Sequence, residues 1–169
     1  AYPSGYGMGV IVGLTETEVN RVLKPIHTST TPVFLANVNA PRQIVIAGSK
    51  QAIQQALEQA LLAGAHKAEH LPVQVPSHCP LMEPVAARLE QEMQNVSLSA
   101  PNVRYISSGS ARALSAPDVI GKDLARNVAQ PVRWYDATTV LFEFGTRLFV
   151  EMPPGHVLTS LATEAFPGA

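Results

Sequence analysis

The chain has 169 residues and a formal charge of -1, from 12 basic and 13 acidic residues. This balance excludes the strongly basic face of a nucleic-acid-binding protein, and apolar runs fall short of the roughly 18 to 20 residues of a membrane span. Charged residues make up 15% of the chain and hydrophobic residues 46%, against about 25% charged residues in an average soluble domain. The composition therefore predicts a chain that buries part of its surface against another polypeptide.

The first part of the chain, residues 5–73, has the pattern of a β-α-β-β-α-β unit. The predicted strands cover residues 10–12, 33–38, 43–47 and 68–73, the middle two forming a hairpin. Thr15 and Glu18 have the spacing of a helix capping box, and Ser49 and Gly64 are placed to begin and end a second helix. This order is the split pattern of ferredoxin-like domains and predicts a small α/β subdomain.

Residues 74–169 alternate helices with strands at 103–107 and 148–150. The side chains predicted to be buried on these helices are Met82, Val85, Leu89 and Met93, then Ile120, Leu124 and Val128, then Val157, Leu158 and Leu161. Such alternation predicts a parallel sheet with helices on both faces. Two strands cannot form that sheet alone, so the remaining strands are expected from residues outside this chain.

Residues 77–82 carry the most chemical information in the sequence. His78 lies between Pro76 and Pro80, in a rigid loop at the start of a predicted helix. Because the positive end of a helix dipole disfavours an imidazolium, we expect a neutral imidazole that can act as a general base. The alternative is a histidine that only caps the helix, and spacing alone favours it.

Asn127 is a candidate partner for His78, because Pro131 lies four residues after it. In a helix, the carbonyl of Asn127 accepts the amide hydrogen of residue 131, and proline has none. The freed carbonyl can accept a ring N–H and orient a histidine, as an aspartate does in other triads. The alternative is a frayed helix end that binds water, and the spacing by itself favours that alternative.

Cys79 is the only cysteine, which excludes a disulfide within the chain and favours a reducing compartment. The single cysteine, together with the lack of the basic and then apolar segment of a secretory leader, predicts a cytoplasmic location. Adjacent residues seldom place a base against its nucleophile, so Cys79 is predicted to be a packing residue beside His78. His66 and His70 lack the spacing of a tight ligand pair, so no metal site is predicted. The start at Ala1, without Met, indicates a processed or partial polypeptide.

No nucleophile is recognisable in this chain. The glycines of residues 5–9 precede a strand, whereas a phosphate-binding loop follows a strand and opens a helix, so they indicate no nucleotide site. A Gly-x-Ser-x-Gly elbow does not occur. Ser108 and Ser110 lie beside Gly109 but lack the flanking glycines and the strand-to-helix turn. The nucleophile of an acyl-transfer reaction is therefore expected outside this chain.

Stretches spread in order over nearly the whole chain carry a family resemblance. They are residues 37–48, 63–65, 75–82, 130–134 and 151–158. Together they resemble the malonyl-CoA:acyl carrier protein transacylases. Residues 6–12, combined with the Pro153-Pro154-Gly155-His156 ending, look most like the transacylase subunit of bacterial malonate decarboxylase systems.

The resemblance implies an α/β-hydrolase-like large subdomain with a ferredoxin-like small one inserted in it. This chain would supply the small subdomain and the C-terminal part of the large one. His78 takes the place of the family's catalytic base, and Asn127, where the family usually has Gln, that of the residue whose main-chain carbonyl orients it. Asn39 matches an asparagine close to the bound acyl thioester. Lys67 matches a basic position near the coenzyme A phosphates, a solvated surface lysine being the alternative.

The implied function is malonyl transfer from malonyl-CoA, through a Ser-acyl enzyme, to the phosphopantetheine thiol of an acyl carrier protein. The serine would lie in the absent N-terminal half, so the chain alone is expected to be inactive. The expected partners are that half, the carrier protein and the coenzyme A thioester, with no metal, redox cofactor, nucleic acid or membrane. The alternative is a non-catalytic ferredoxin-like module that binds a ligand or partner.

Overall fold

The computed structural model describes residues 4–167. Residues 1–3 and 168–169 lie outside the described residues, and with them the start at Ala1 and the last two residues of the predicted segment 74–169. Among the described residues, no helix is long and apolar enough to cross a membrane.

Helices and strands mix along the whole described chain. The strands are β1 (Tyr6–Val12), β2 (Val33–Ala40), β3 (Gln43–Ser49), β4 (Lys67–His70), β5 (Tyr105–Ile106) and β6 (Ala113–Leu114). The helices are α1 (Glu16–Leu23), α2 (Lys50–Leu62), α3 (Glu83–Met93), α4 (Pro117–Arg126), α5 (Trp134–Glu143) and α6 (Val157–Ala165). Short 3-10 turns at Pro80–Met82 and Asn127–Ala129 precede α3 and follow α4. The chain is therefore a mixed α/β structure, as predicted.

Strands β1 to β4 form an antiparallel sheet in the order β2-β3-β1-β4. The predicted hairpin is present as β2 and β3. β1 starts at Tyr6, four residues before the predicted Val10, so Gly7 and Gly9 belong to the strand. A Cβ at Gly9 would lie 3.1 Å from the Ile53 side chain of α2. Gly9 thus lets α2 pack closely on β1. The last strand ends at His70, short of the predicted residue 73.

The caps of α1 and α2 are as the sequence predicts. The Glu18 N–H donates to Thr15 Oγ1 at 3.3 Å, and the Thr15 N–H donates to a Glu18 carboxylate oxygen at 2.8 Å, which completes the capping box. The Ala52 N–H donates to Ser49 Oγ at 3.2 Å. Gly64, with φ at 98°, follows the C-terminus of α2 in the left-handed region that glycine adopts without steric penalty.

The main core lies between one face of the sheet and helices α1 and α2. Its fully buried members include Ile11, Ile44, Ile46, Val19 and Ile53. Each such side chain contributes about 1.5 to 3 kcal/mol through burial, so this cluster holds the helices on the sheet.

The opposite face of the sheet is covered by the segment that carries the predicted site. Met8, Val10, Ala36, Val45 and Ala47 form a second buried cluster with Cys79. The loop between β4 and α3 therefore packs directly on the sheet. This contact fixes the loop relative to the strands.

The second part of the chain does not form the predicted parallel sheet. Residues 103–107 contribute only the short strand β5, which pairs with β6 in the antiparallel sense, and residues 148–150 form no strand. Parallel pairing occurs at an isolated bridge instead, where the Val132 N–H donates to the Ala36 carbonyl at 2.8 Å. This bridge adds the segment around Val132 to the edge of β2.

The predicted apolar faces of the later helices are buried only in part. Met82, beside Ala86, and Ile120 are buried, but the exposed fractions of Val85, Leu89 and Leu124 are 38%, 40% and 48%. In α6, Leu161 is buried, whereas Val157 and Leu158 are exposed. Because the predicted sheet is not formed, these side chains have no sheet to pack against among residues 4–167.

Candidate active site

His78 lies in the loop between β4 and α3 with an uncommon backbone conformation. Its φ is 60°, in the left-handed region that few non-glycine residues adopt. The His78 N–H donates to the Val128 carbonyl at 2.8 Å, and the neighbouring Pro76 and Cys79 are fully buried. Packing and hydrogen bonding on both sides therefore fix the position of His78.

The imidazole of His78 contacts the main chain at the end of α4. Its Nδ1 lies 2.9 Å from the carbonyl oxygen of Asn127. A carbonyl oxygen only accepts hydrogen bonds, so Nδ1 carries the hydrogen, and in the neutral ring Nε2 is left as the proton acceptor. The arrangement therefore gives the ring the tautomer of a general base acting through Nε2.

The Asn127 carbonyl is available because a proline lies four residues downstream. Pro131 cannot donate to it, and α4 passes into a 3-10 turn at Asn127. The Gln130 N–H reaches the same carbonyl only at 3.4 Å, a long and weak hydrogen bond. The structure thus brings His78 and Asn127 together; their catalytic roles stay a prediction.

Ser108 is a third member of this cluster, and the sequence did not indicate it as a partner of Asn127. The Asn127 side-chain amide donates to Ser108 Oγ at 2.5 Å across 19 positions of sequence. The Arg133 N–H donates to the Ser108 carbonyl at 2.7 Å. The polar Ser-Gly-Ser loop was the available signal, but no local pattern pairs residue 108 with residue 127.

Asn39 lies near the end of β2, the strand that contributes Ala36 to the cluster with Cys79. An irregularity in the strand pairing places Asn37 opposite Val45, and Val45 belongs to the cluster with Cys79. A second irregularity, between Val38 and Ala40, falls at Asn39 itself and interrupts the alternation of side chains there. Asn39 is half-buried there.

Lys67 starts β4, at the other edge of the sheet from β2. The register runs from Lys67 through β1 and β3 to Ala40, so Lys67 and Asn39 share one end of the sheet. Three strand spacings, about 14 Å, separate their backbones. The Lys67 ammonium pairs with Glu69 at 2.7 Å, and both side chains are more than half exposed. Such an exposed pair is weak, and it leaves Lys67 able to contact another group.

Cys79 has the properties of a packing residue. It is fully buried, and its thiol donates to the Pro76 carbonyl at 3.2 Å. Burial raises the pKa of this thiol to about 11, so the thiolate is scarce at neutral pH. Cys79 is therefore unsuited to act as a nucleophile beside His78.

The remaining histidines of the sequence analysis lie at the surface. His66 and His70 are exposed, and His70 Nε2 lies 2.8 Å from Gln54 Oε1. Across residues 4–167, no three His, Cys, Asp or Glu side chains converge in a way that could hold a metal ion.

Comparison with known proteins gives the family. The family described as acyl transferase domain matches residues 9–167. The malonyl CoA-acyl carrier protein transacylase of Escherichia coli K12 is 35% identical over 162 residues, which is 95% of this chain and 52% of that protein. The chain thus spans about half the length of the curated relatives it matches.

Solved structures agree with this comparison. The malonyl CoA-acyl carrier protein transacylase of Coxiella burnetii superposes with a TM-score of 0.91 at 34% identity, covering 96% of this chain and 52% of that one. A malonyl-transacylase solved with a type II polyketide acyl-carrier protein superposes with a TM-score of 0.91 at 32% identity. The match covers 98% of this chain and 54% of that one. The chain belongs to the acyl transferase domain family.

Proposed function

We propose that this chain is the C-terminal half of a malonyl-CoA:acyl carrier protein transacylase. The relatives that support the proposal carry that name, and one was solved with an acyl-carrier protein. The observation that carries it is the hydrogen bond between His78 Nδ1 and the Asn127 carbonyl, because it prepares the ring as a base. The nucleophilic serine then belongs to the half of the enzyme outside this chain.

In the proposed reaction His78 moves one proton in each step. Its Nε2 takes the serine proton as the serine oxygen attacks the thioester carbonyl; the carbon–sulfur bond breaks, and the proton passes to the coenzyme A sulfur. In the second step Nε2 takes the proton of the carrier protein's phosphopantetheine thiol. That sulfur attacks the acyl carbon of the ester, the bond between this carbon and the serine oxygen breaks, and the proton passes from Nε2 to the serine oxygen. No metal or redox cofactor enters either step.

Asn39 and Lys67 are the proposed substrate contacts. Asn39 would lie beside the acyl thioester, which fits its half-buried place near the end of β2, the strand that also contributes Ala36 to the cluster with Cys79. Lys67 would contact the coenzyme A phosphates, and its exposure fits a group that meets a large, charged ligand. Both belong to the same end of the sheet, so one extended thioester could reach both.

The proposed division of the chain is a ferredoxin-like small subdomain over residues 5–73 and part of an α/β-hydrolase-like subdomain over 74–169. The strand order β2-β3-β1-β4 supports the first assignment. Exposed apolar side chains support the second: Val103, Leu148, Val150 and Met152 are each more than three-quarters exposed. We propose that the other half of the enzyme covers them. The proposed assignment of this chain to a malonate decarboxylase system rests on residues 6–12 and 153–156.

The test is malonyl transfer to a carrier protein by the complete polypeptide, in which this chain is joined to its N-terminal half. His78→Gln should lower the transfer rate by about 10²- to 10⁴-fold, the usual contribution of a general base. His70→Gln, at an exposed histidine outside the site, is the matched control and should keep the rate. Normal transfer by His78→Gln would contradict the proposal, and ligand binding without any transfer by the unmutated enzyme would favour the non-catalytic module.

A further inference from the structure

The side chain of Asn127 makes a contact that its proposed role does not require. Only the main-chain carbonyl of Asn127 meets His78 Nδ1. The side-chain amide points elsewhere and donates to Ser108 Oγ. Beyond its main-chain bonds to Asp123 and Gln130, residue 127 therefore contacts His78 through its carbonyl and Ser108 through its side-chain amide.

Ser108 is itself held by the main chain on the far side of Pro131. Its carbonyl accepts the Arg133 N–H at 2.7 Å. A Cβ added to the adjacent Gly109 would lie 3.2 Å from the Gln130 side-chain oxygen, so the loop lies close to the segment between α4 and α5. The hydroxyl of Ser108 is thereby presented to Asn127 from a fixed backbone.

The hairpin of β5 and β6, which contains this loop, is attached to α4 through Asp123. Its carboxylate accepts hydrogen bonds from the Tyr105 hydroxyl at 2.6 Å and from Ser107 Oγ at 2.5 Å. Ser107 is fully buried, and Ser107 Oγ also accepts the Ser110 N–H. Burial, followed by the hydrogen bond to Asp123, raises the pKa of Tyr105, so its hydroxyl remains a donor. The loop and α4 therefore form one connected frame.

We propose that Ser108 is a positioning residue that fixes the Asn127 carbonyl toward His78 and so selects the Nδ1–H tautomer of the imidazole. The inference rests on the proposed function, since it concerns the base of that reaction. Its physical reason is that Asn127 lies at the end of a helix, where the hydrogen bond that its carbonyl accepts from the main chain, from the Gln130 N–H at 3.4 Å, is weak. The hydrogen bond from the Asn127 side chain to Ser108 adds a restraint on the orientation of this carbonyl that the helix does not supply.

The direct test measures the His78 tautomer by long-range ¹H–¹⁵N NMR of the 169-residue chain. The unmutated chain should show the Nδ1–H tautomer of His78. Ser108→Ala should reduce its population and shift the His78 ring nitrogens, whereas Ser108→Thr, which keeps the hydroxyl, should preserve the spectrum. Ser110→Ala is the matched control, because Ser110 lies in the same loop with an exposed side chain. An unchanged His78 tautomer in Ser108→Ala would overturn the proposal.

Asn127→Ala provides a second variant if Ser108→Ala does not fold. It removes the amide but keeps the main-chain carbonyl, so it should change the His78 ring signals as Ser108→Ala does. The double variant should add nothing further, because both changes break the same hydrogen bond. Full additivity, or an unchanged ring in Asn127→Ala, would contradict the anchoring role.

Kinetics of the complete polypeptide separate this inference from the proposed function. Ser108→Ala should lower kcat about tenfold with little change in the KM for malonyl-CoA, and Ser108→Thr should restore it. If Ser108→Ala alters the tautomer while His78→Gln retains transfer, the positioning holds and the proposed function fails. If His78→Gln abolishes transfer while Ser108→Ala leaves both tautomer and kcat intact, the function stands and Ser108 has no such role.

Discussion

His78 and Cys79 are neighbours in the chain with opposite surroundings. His78 is half-buried with a ring nitrogen held by Asn127, whereas Cys79 is fully enclosed on the sheet with its thiol directed at Pro76. The backbone is extended at Cys79 and left-handed at His78, so the two side chains point in different directions. At the scale of single residues, one position thus carries the candidate chemistry and the next carries the packing.

The raised pKa of Cys79 predicts slow alkylation of the folded chain. Because iodoacetamide reacts with the thiolate, a shift from 9.0 to about 11 should slow labelling at pH 8 by about 100-fold relative to the unfolded chain. Mass spectrometry of samples labelled with and without denaturant measures this ratio. Equal rates in both states would show that the thiol is accessible and reactive.

The same shift has a consequence for stability. The thiol binds its proton more tightly in the folded chain than in the unfolded chain. The stabilisation that this proton gives to the folded chain is therefore complete below pH 9.0 and is lost as the pH rises toward about 11. The free energy of unfolding should therefore decline over this window in the unmutated chain. Cys79→Ala, which has no titrating group, should show a shallower decline.

The sequence predicted a free carbonyl at Asn127 because proline has a definite chemical effect four residues downstream, whereas the pairing of that carbonyl with His78 was implied by the family resemblance. Pro131 has no N–H, so a free carbonyl at residue 127 follows from helix geometry alone. The partnership with Ser108 could not be found in that way. It depends on how the loop before β6 meets the end of α4, which is a matter of packing between distant segments.

At the scale of elements, Gly48 is required by the close approach of β3 to the start of β2. A Cβ at Gly48 would lie 2.2 Å from the Pro32 carbonyl oxygen and 2.7 Å from Val33 Cα. Both are backbone atoms, so the strand itself would have to move. Glycine at this position therefore reflects steric contact between strands.

Gly48→Ala should accordingly destabilise the chain by about 1 to 3 kcal/mol or more, as overpacking does. Urea denaturation followed by circular dichroism gives the change in free energy of unfolding. Gly155→Ala is the matched control, since a Cβ there meets nothing within 4 Å. A Gly48→Ala variant as stable as this control would show that the strands are not as close as described.

Elements with local signals were predicted correctly, and so in part were β1 and β4, but the strand at 148–150 was not. The capping box at Thr15, the cap at Ser49 and the hairpin of β2 and β3 each depend on residues a few positions apart. The strand predicted at 148–150 depends on a neighbouring strand, and residues 4–167 place none beside it. Alternating apolar residues alone do not form a strand, because its hydrogen bonds come from another segment.

At the scale of the whole molecule, the first and second parts of the chain are joined at β2. The Val38 N–H donates to the Val132 carbonyl, and the Arg133 guanidinium pairs with Glu16 of α1 and Asp136 of α5. This junction lies between Ser108, whose carbonyl accepts the Arg133 N–H, and β2, the strand that carries Asn39. The proposed catalytic pair and the proposed substrate contact are thus parts of one connected structure.

The apolar side chains left exposed by this arrangement belong mainly to the second part of the chain. They include Leu148 and Val150, where the sequence predicts a strand. The matched transacylases of Escherichia coli K12 and Coxiella burnetii are about twice as long as this chain, and the proposed function assigns the cover of this surface to the counterpart of their other half. We therefore expect the chain to be active only when that half is present.

The most direct test of this account is the intact mass of the polypeptides after exposure to malonyl-CoA. The 169-residue chain should stay unmodified by itself; with the N-terminal half supplied as a separate polypeptide, the malonyl group should appear on that half. His78→Gln should prevent the modification, and His70→Gln should allow it. A malonyl group on the 169-residue chain, or none on either polypeptide, would contradict the account.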